Sequence, residues 1–254
     1  LVKNNTRIFF FSRKPSTLKN HYTLDLSKKV RLPKEIKNLN KAHVFIFSSH
    51  VPLIENKSDW EKCKNINIFG ILKLLKKLKK PKKIILASSC SIYGNITKNT
   101  NELSFLKPKN NYALSKFEQE NLIRIYCQTN KIKFVSYRLG YVFGSNMYKK
   151  RLVSRLLDNF KKKKKIKLYN QSLNLNLIHS KDVSEIIIKT YKRAEGIYNL
   201  VNKKKIDIFT FKKSLEKKIK LRHNNLISSK IFSQFKGMKN LEFNECINLF
   251  KDGN

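Results

Sequence analysis

The 254 residues carry 56 Lys+Arg against 17 Asp+Glu, a formal net charge of +39, with 41% hydrophobic residues and 17 Phe. That apolar content suits a globular domain with a substantial core and argues against a disordered chain. No apolar run approaches the roughly 18 residues a membrane helix needs, and no signal peptide opens the chain, so a cytoplasmic protein is expected. Charge alone would point to nucleic acid or an anionic surface. The excess, however, is mostly Lys spread over the whole length among many Asn and Ile. That mixture reads as AT-rich coding bias, and without aromatic interleaving or a binding motif nucleic acid is not the expected partner. Cys63, Cys90, Cys127 and Cys246 lack metal-ligand spacing and are expected to be reduced thiols.

Leu1 to Asn5 reads as the end of a helix. Ile8–Phe11 is then a buried strand running into Ser12-Arg13-Lys14-Pro15, followed by a second strand at Tyr22–Leu26 and a third at Val44–Phe47. Ser48-Ser49-His50 follows the third; a lone loop histidine such as His50 is more often structural or solvated than an acid/base. Residues 59–80 are expected to form a long amphipathic helix with Ile66, Phe69, Leu72 and Leu75 on its apolar side, stopped by Pro81. Ile84-Ile85-Leu86-Ala87 is short, apolar and bounded by turn chemistry, hence a buried strand, and it delivers the hydroxyl cluster Ser88-Ser89-Cys90-Ser91 at its end. After Pro108 the chain turns into a helix carrying Tyr112 and Lys116, four apart and therefore on one face. A hydroxyl at a strand end facing that pair makes a proton-transfer site. Further strands are expected at Phe134–Arg138 and Ile197–Val201, with helices at 152–165, ending in five lysines, and at 209–219. The strand–helix alternation argues an α/β protein with a parallel sheet covered by helices, without internal repeats.

Three motifs stand in order: Ser88-Ser89-Cys90-Ser91-Ile92-Tyr93-Gly94, then Tyr112-x-x-x-Lys116, then Arg138-Leu139-Gly140-Tyr141-Val142-Phe143-Gly144. Together they resemble the extended short-chain dehydrogenase/reductase family in its sugar-nucleotide epimerase/dehydratase branch. Tyr-x-x-x-Lys alone carries nothing in a chain with ten Tyr and so much Lys; the order of three motifs carries the signal. The resemblance implies a Rossmann-like doubly wound parallel sheet with a small C-terminal substrate-binding region. The core would span 1–145 and 173–202, and the substrate region 146–172 and 203–254. Asn67-Ile68-Phe69-Gly70 is similar to the family's Asn-Val-x-Gly, a packing pattern in which Gly70 lets the helix approach the sheet. Leu175 to Val183 is similar to its strand-then-helix segment, with Asp182 anchoring the helix start; Leu175 stands roughly where many relatives place a diphosphate-gripping Arg.

The same resemblance implies a site. Ser89, Tyr112 and Lys116 would be catalytic; Arg13, Asp25, Leu26 and Ser48, with Tyr112 and Lys116, would bind the cofactor; Ser89, Ser91 and Tyr141 would contact a nucleotide-sugar substrate. A free phenol, with pKa ~10, is a poor base near neutrality, and a lysine ammonium one turn away favours the phenolate. Tyr112 would take a proton from a substrate hydroxyl as hydride leaves carbon, or the reverse, while Lys116 binds the nicotinamide ribose and Ser89 positions the reacting oxygen. At the end of the second family strand an acid holds a ribose 2′-hydroxyl whereas an Arg accommodates a 2′-phosphate, so Arg13 favours NADP over NAD. Family dehydratases follow the catalytic Ser/Thr with an Asp-Glu pair; Cys90 and Ser91 occupy those places, which disfavours dehydration and leaves an epimerase or a ketoreductase. No G-x-G-x-x-G occurs among the seven glycines, so the chain is expected to begin after the first strand and, as it stands, to bind dinucleotide poorly. A homodimer is one assembly open to it. The alternative is a non-catalytic Rossmann-fold protein that binds a nucleotide or RNA.

Overall fold

In the first of two compact units, Phe10–Ser12 (β1) and His21–Thr23 (β2) pair in parallel, with Phe10 opposite His21. The structure, a computed structural model, describes residues 7–36, 39–53, 56–94, 96, 100–144, 147–162, 174–201, 206–207 and 212. The first unit comprises Leu1–Tyr137 with Arg193–Ile197, and the second Arg138–Lys192 with Tyr198–Asn254.

After His43–Ile46 (β3) comes a helical stretch in three pieces: Lys57–Cys63 (α1), a π-helical segment at Lys64–Gly70, and Ile71–Leu75 (α2). It leads to Lys83–Ser89 (β4), which pairs in parallel with β3 in the register His43 to Lys83 through Ile46 to Leu86. Parallel neighbours cannot be joined by a tight turn, and the helical stretch is the crossover they need. Ile84, Ile85 and Leu86 are each at most 1% exposed, as an apolar strand covered on both faces must be. Each such side chain contributes about 1.5–3 kcal/mol of burial. Asn111–Thr129 (α3) then packs on β4 and on the π-helical segment, and Lys133–Leu139 (β5) follows.

The second unit contains Tyr141–Phe143 (β6), Leu152–Lys161 (α4), Asn174–Leu175 (β7), Leu177–His179 (β8) and Ser180–Thr190 (α5). Gly196–Leu200 (β9) and Ile206–Asp207 (β10) complete the described strands. β6 and β8 pair in parallel, β7 and β10 antiparallel, and a four-stranded sheet has the order β3-β4-β5-β9. The unit boundaries fall inside β5 and β9.

Three expectations are corrected. The helix expected over 59–80 ends at Leu75, and its core face is Cys63, Asn67, Gly70, Ile71, Leu74 and Leu75; of the four residues expected there Leu75 is buried and Ile66 packs against the core, while Phe69 is exposed. The reason is that a buried Asn and a Gly carry the inward stripe that hydropathy assigns to neighbouring apolar residues. Gly70 does fulfil its expected role: a Cβ there would lie 2.7 Å from both Cβ and the carbonyl oxygen of Leu26. The helix at 152–165 stops at Lys161 within the described residues. The start of α5 is capped by His179, whose Nδ1 accepts the Lys181 N–H at 3.2 Å, and Asp182 sits inside the first turn. Cys63, Cys90 and Cys127 are buried thiols; the 209–219 helix and Cys246 lie outside the described residues, Lys212 apart.

Candidate active site

The site is built where β4 ends against the first turns of α3. Ser89 closes β4 in extended backbone, and its Oγ caps the short 3-10 turn Cys90–Tyr93, accepting the Ser91 N–H at 3.2 Å and sharing a 2.9 Å hydrogen bond with Ser91 Oγ. Gly94 leaves that turn with φ +72°, and a Cβ there would meet the Lys107 carbonyl at 2.2 Å, so only glycine lets the chain turn back at this point. Ser88 is buried, and its Oγ has no hydrogen-bond partner among the described residues.

On the other side, Asn110 caps α3 by accepting the Ala113 N–H at 2.8 Å, which fixes the helix start and puts Tyr112 in the first turn and Lys116 one turn on. Lys116 is 2% exposed and donates to the Ala87 carbonyl at 2.8 Å and to Gln119 Oε1. Its ammonium is therefore tied to β4 two residues before Ser89. Burial lowers its pKa to about 7, and the neighbouring Glu120 carboxylate opposes that shift. Glu120 is itself buried and accepts from Ser136 Oγ of β5 at 2.8 Å.

The residue that joins this turn to the loop after β3 is legible in the sequence only as part of a packing pattern, without this role. Asn67, fully buried on the π-helical segment, accepts the His50 N–H at 2.7 Å and donates to the His50 carbonyl at 3.0 Å and to Ser115 Oγ at 2.9 Å. Ser115 Oγ in turn donates to the Tyr112 carbonyl at 2.8 Å. One amide thus locks the loop after β3 to the backbone of Tyr112. Its only signal in the sequence is its place in the Asn67-Ile68-Phe69-Gly70 packing pattern. His50, held at its backbone by Asn67, places Nε2 3.1 Å from Asp59 Oδ1 in the first turn of α1, the structural role expected of a lone loop histidine.

The expected cofactor residues fall at the C-terminal ends of the parallel strands. Arg13 follows β1 and is exposed; Asp25 follows β2; Ser48 follows β3 and is exposed. Asp25 accepts Ser27 Oγ at 2.7 Å and Ser27 N–H at 2.9 Å, which holds its carboxyl below the ordinary range. Leu26 is buried in the core against Gly70, so its side chain serves packing. Strand ends of this kind, with an exposed Arg just after β1, fit a dinucleotide, and Arg13, Asp25 and Ser48 are the residues that would hold it. In the second unit, the Tyr141 oxygen accepts the backbone N–H groups of Leu152 and Val153 at the start of α4, while burial pushes its pKa up. A depression of about 290 Å³ at the far end of α3, among Arg124, Lys131, Lys133 and Glu195, contains none of these residues.

Comparison with known proteins decides the family. The sequence model of the NAD dependent epimerase/dehydratase family matches residues 1–201. The chain belongs to this family. Among curated proteins it is similar to a dTDP-D-glucose 4,6-dehydratase of Dictyostelium discoideum, 25% identical over 151 residues, which is 53% of this chain and 35% of that protein. The chain thus spans about a third of that relative's length. Among solved structures it resembles the UDP-glucose 4-epimerase of Thermus thermophilus in complex with NAD, with a TM-score of 0.74 and 18% identity over 92% of this chain and 85% of the other. It also resembles RMD from Pseudomonas aeruginosa complexed with NADPH, with a TM-score of 0.74 and 15% identity over 94% and 92%. At these identities the solved structures establish the Rossmann-like α/β fold. No helix among the described residues is long and apolar enough to cross a membrane, and no group of His, Cys, Asp and Glu among them could hold a metal ion.

Proposed function

We propose that this epimerase/dehydratase family member interconverts a hydroxyl and a carbonyl on a nucleotide-activated sugar, as an epimerase or ketoreductase. The observation that supports the reading is the tie from Lys116, one turn past Tyr112, to the Ala87 carbonyl two residues before Ser89, which sets the ammonium at the strand end that carries the hydroxyls. The bound nicotinamide would supply hydride acceptance and donation. Tyr112 exchanges the proton of the reacting hydroxyl, Ser89 and Ser91 hydrogen-bond that oxygen, and Lys116 bears on the phenol and the ribose. Cys90 is buried and Ser91 is engaged with Ser89, and neither is an acid of the kind that eliminates water, so dehydration is disfavoured. The solved neighbours include one complex with NAD and one with NADPH; the exposed Arg13 favours NADP. The domain division follows the core over 1–145 and 173–202, and assembly would be as a homodimer in the cytoplasm.

Hydride transfer followed by nicotinamide absorbance, on the protein with whatever residues its gene encodes before Leu1, tests the reading with a panel of nucleotide sugars. Tyr112→Phe is expected to lower turnover by about a hundredfold, the lower end of what a positioned acid/base supplies. Equal rates for Tyr112→Phe and the parent would end the enzymatic assignment.

A further inference from the structure

We propose that Gln119 is a positioning residue for Lys116, its side-chain carbonyl and the Ala87 carbonyl together holding the ammonium against the end of β4. Gln119 is fully buried one turn after Lys116, and its Oε1 accepts from Nζ. Its own Nε2 has no hydrogen-bond partner among the described residues. A buried amide that leaves two donors unmet costs stability, and an apolar side chain of that size would fill the same space without the cost. The amide is therefore present for its acceptor. Turned about, it would aim N–H groups at an ammonium that has only N–H groups to offer, so the charge itself dictates which way Gln119 faces.

This acceptor acts where it decides something. Burial has already brought Lys116 to the balance point between charged and neutral near pH 7, so one hydrogen bond to the charged form tips it. The ionisable groups on the packed elements are few. On α3 the charge that bears on Lys116 is Glu120, bound to Ser136 of β5, with Tyr112 one turn before; the helix's other ionisable groups are Glu118, Arg124, Tyr126 and Cys127. The turn after β4 brings Cys90 and Tyr93, both buried. The end of β4 brings Ala87, Ser88 and Ser89, and the π-helical segment brings Asn67 to Ser115, none of them ionisable. Gln119 supplies the adjustable acceptor in that set. Its bearing on turnover rests on the role given to Lys116 above; the hold itself does not.

The test is a nuclear magnetic resonance titration of the lysine side-chain carbons, with the Lys116 signal assigned by its loss in Lys116→Arg. Gln119→Glu is expected to raise the Lys116 midpoint by about two pH units, and Gln119→Leu to lower it by about one. Shifts of opposite sign from two side chains of similar size are not what a purely structural site would give. Gln119→Asn, which withdraws the carbonyl by one carbon, is the milder companion should either fold poorly, and its midpoint is expected to fall. A midpoint that moves by less than about 0.3 pH units, or the same way in Glu and Leu, overturns the proposal. The titration needs neither dinucleotide nor sugar. Midpoints that shift as stated in a protein without hydride transfer would keep this hold and discard the catalytic reading; unshifted midpoints in an active enzyme would do the reverse.

Discussion

Replacing Asn67 with leucine is expected to destabilise the protein by about 4 kcal/mol, measured by urea unfolding at neutral pH. Asn67 is wholly buried and satisfies both backbone groups of His50 and the Ser115 hydroxyl. Leucine has the same branching and as many heavy atoms, so the substitution leaves no cavity, but its methyls cannot approach His50 and Ser115 at the 2.7–3.0 Å the amide keeps; it removes hydrogen bonding and overpacks the site. A buried polar group left without a partner costs about 1–3 kcal/mol, and here that group is the His50 N–H, since the His50 carbonyl keeps Ser49 Oγ at 3.3 Å and the Ser115 hydroxyl keeps the Tyr112 carbonyl; the overpacking, at about 1–3 kcal/mol, adds to it. The disturbance should also be local in a readable way. Amide exchange should accelerate at His50 and at the start of α3, because Ser115 passes the constraint to the Tyr112 carbonyl. A cost below about 1 kcal/mol would mean that the loop after β3 is held by something else.

Asn67 also marks the limit of what the chain shows before it folds. Apolar runs such as Ile84–Ala87 could be read as strands because burial on both faces leaves no polar alternation, and their observed ends differ by only a residue or two. The first turn of α3 was legible through the spacing of Tyr112 and Lys116. What escaped was polar and buried. The inward face of α3 carries Ser115, Lys116, Gln119 and Glu120 beside Ala113, Ile123 and Cys127, and the inward face before β4 carries Asn67 and Gly70. Hydropathy assigns such residues outward, since it prices each side chain as if it had no partner. Which polar groups meet inside depends on three-dimensional pairing across elements far apart in sequence, as with Asn67 and Ser115. The same limit explains α5: Asp182 has the chemistry of a cap, yet His179 provides it because its backbone is the extended one at the helix start. Tyr141 follows this rule too, since its phenol meets α4 only once β6 has placed it there.

Lys116→Met is expected to make the protein more stable than its parent at about pH 6, and to lose about 4 kcal/mol of that lead by about pH 10. The folded pKa of Lys116 is about 7, against about 10.4 for a lysine in an unfolded chain. Below pH 7 both states are protonated and the full cost of burying the ammonium weighs on the fold. Between the two values the unfolded chain binds a proton that the folded one does not, so stability rises with pH at about 1.4 kcal/mol per pH unit until the unfolded lysine also titrates. Three such units give the change. Methionine fills the channel with a similar chain, carries no charge, and has no titration of its own in this range. It forfeits the bonds to Ala87 and Gln119, which moves its curve vertically and leaves the slope untouched. Groups that do not bear on Lys116, Cys127 with its thiol pushed up to about 12 among them, are shared and cancel in the difference; Glu120, whose carboxylate bears on Lys116, is the exception. Urea unfolding of both proteins at several pH values reads that difference directly. A gap that stays constant with pH would show that Lys116 keeps an ordinary lysine's proton affinity and that its ammonium is solvated. A closing gap would show that the fold tolerates an ammonium it would be more stable without, the mark of a residue kept for its chemistry.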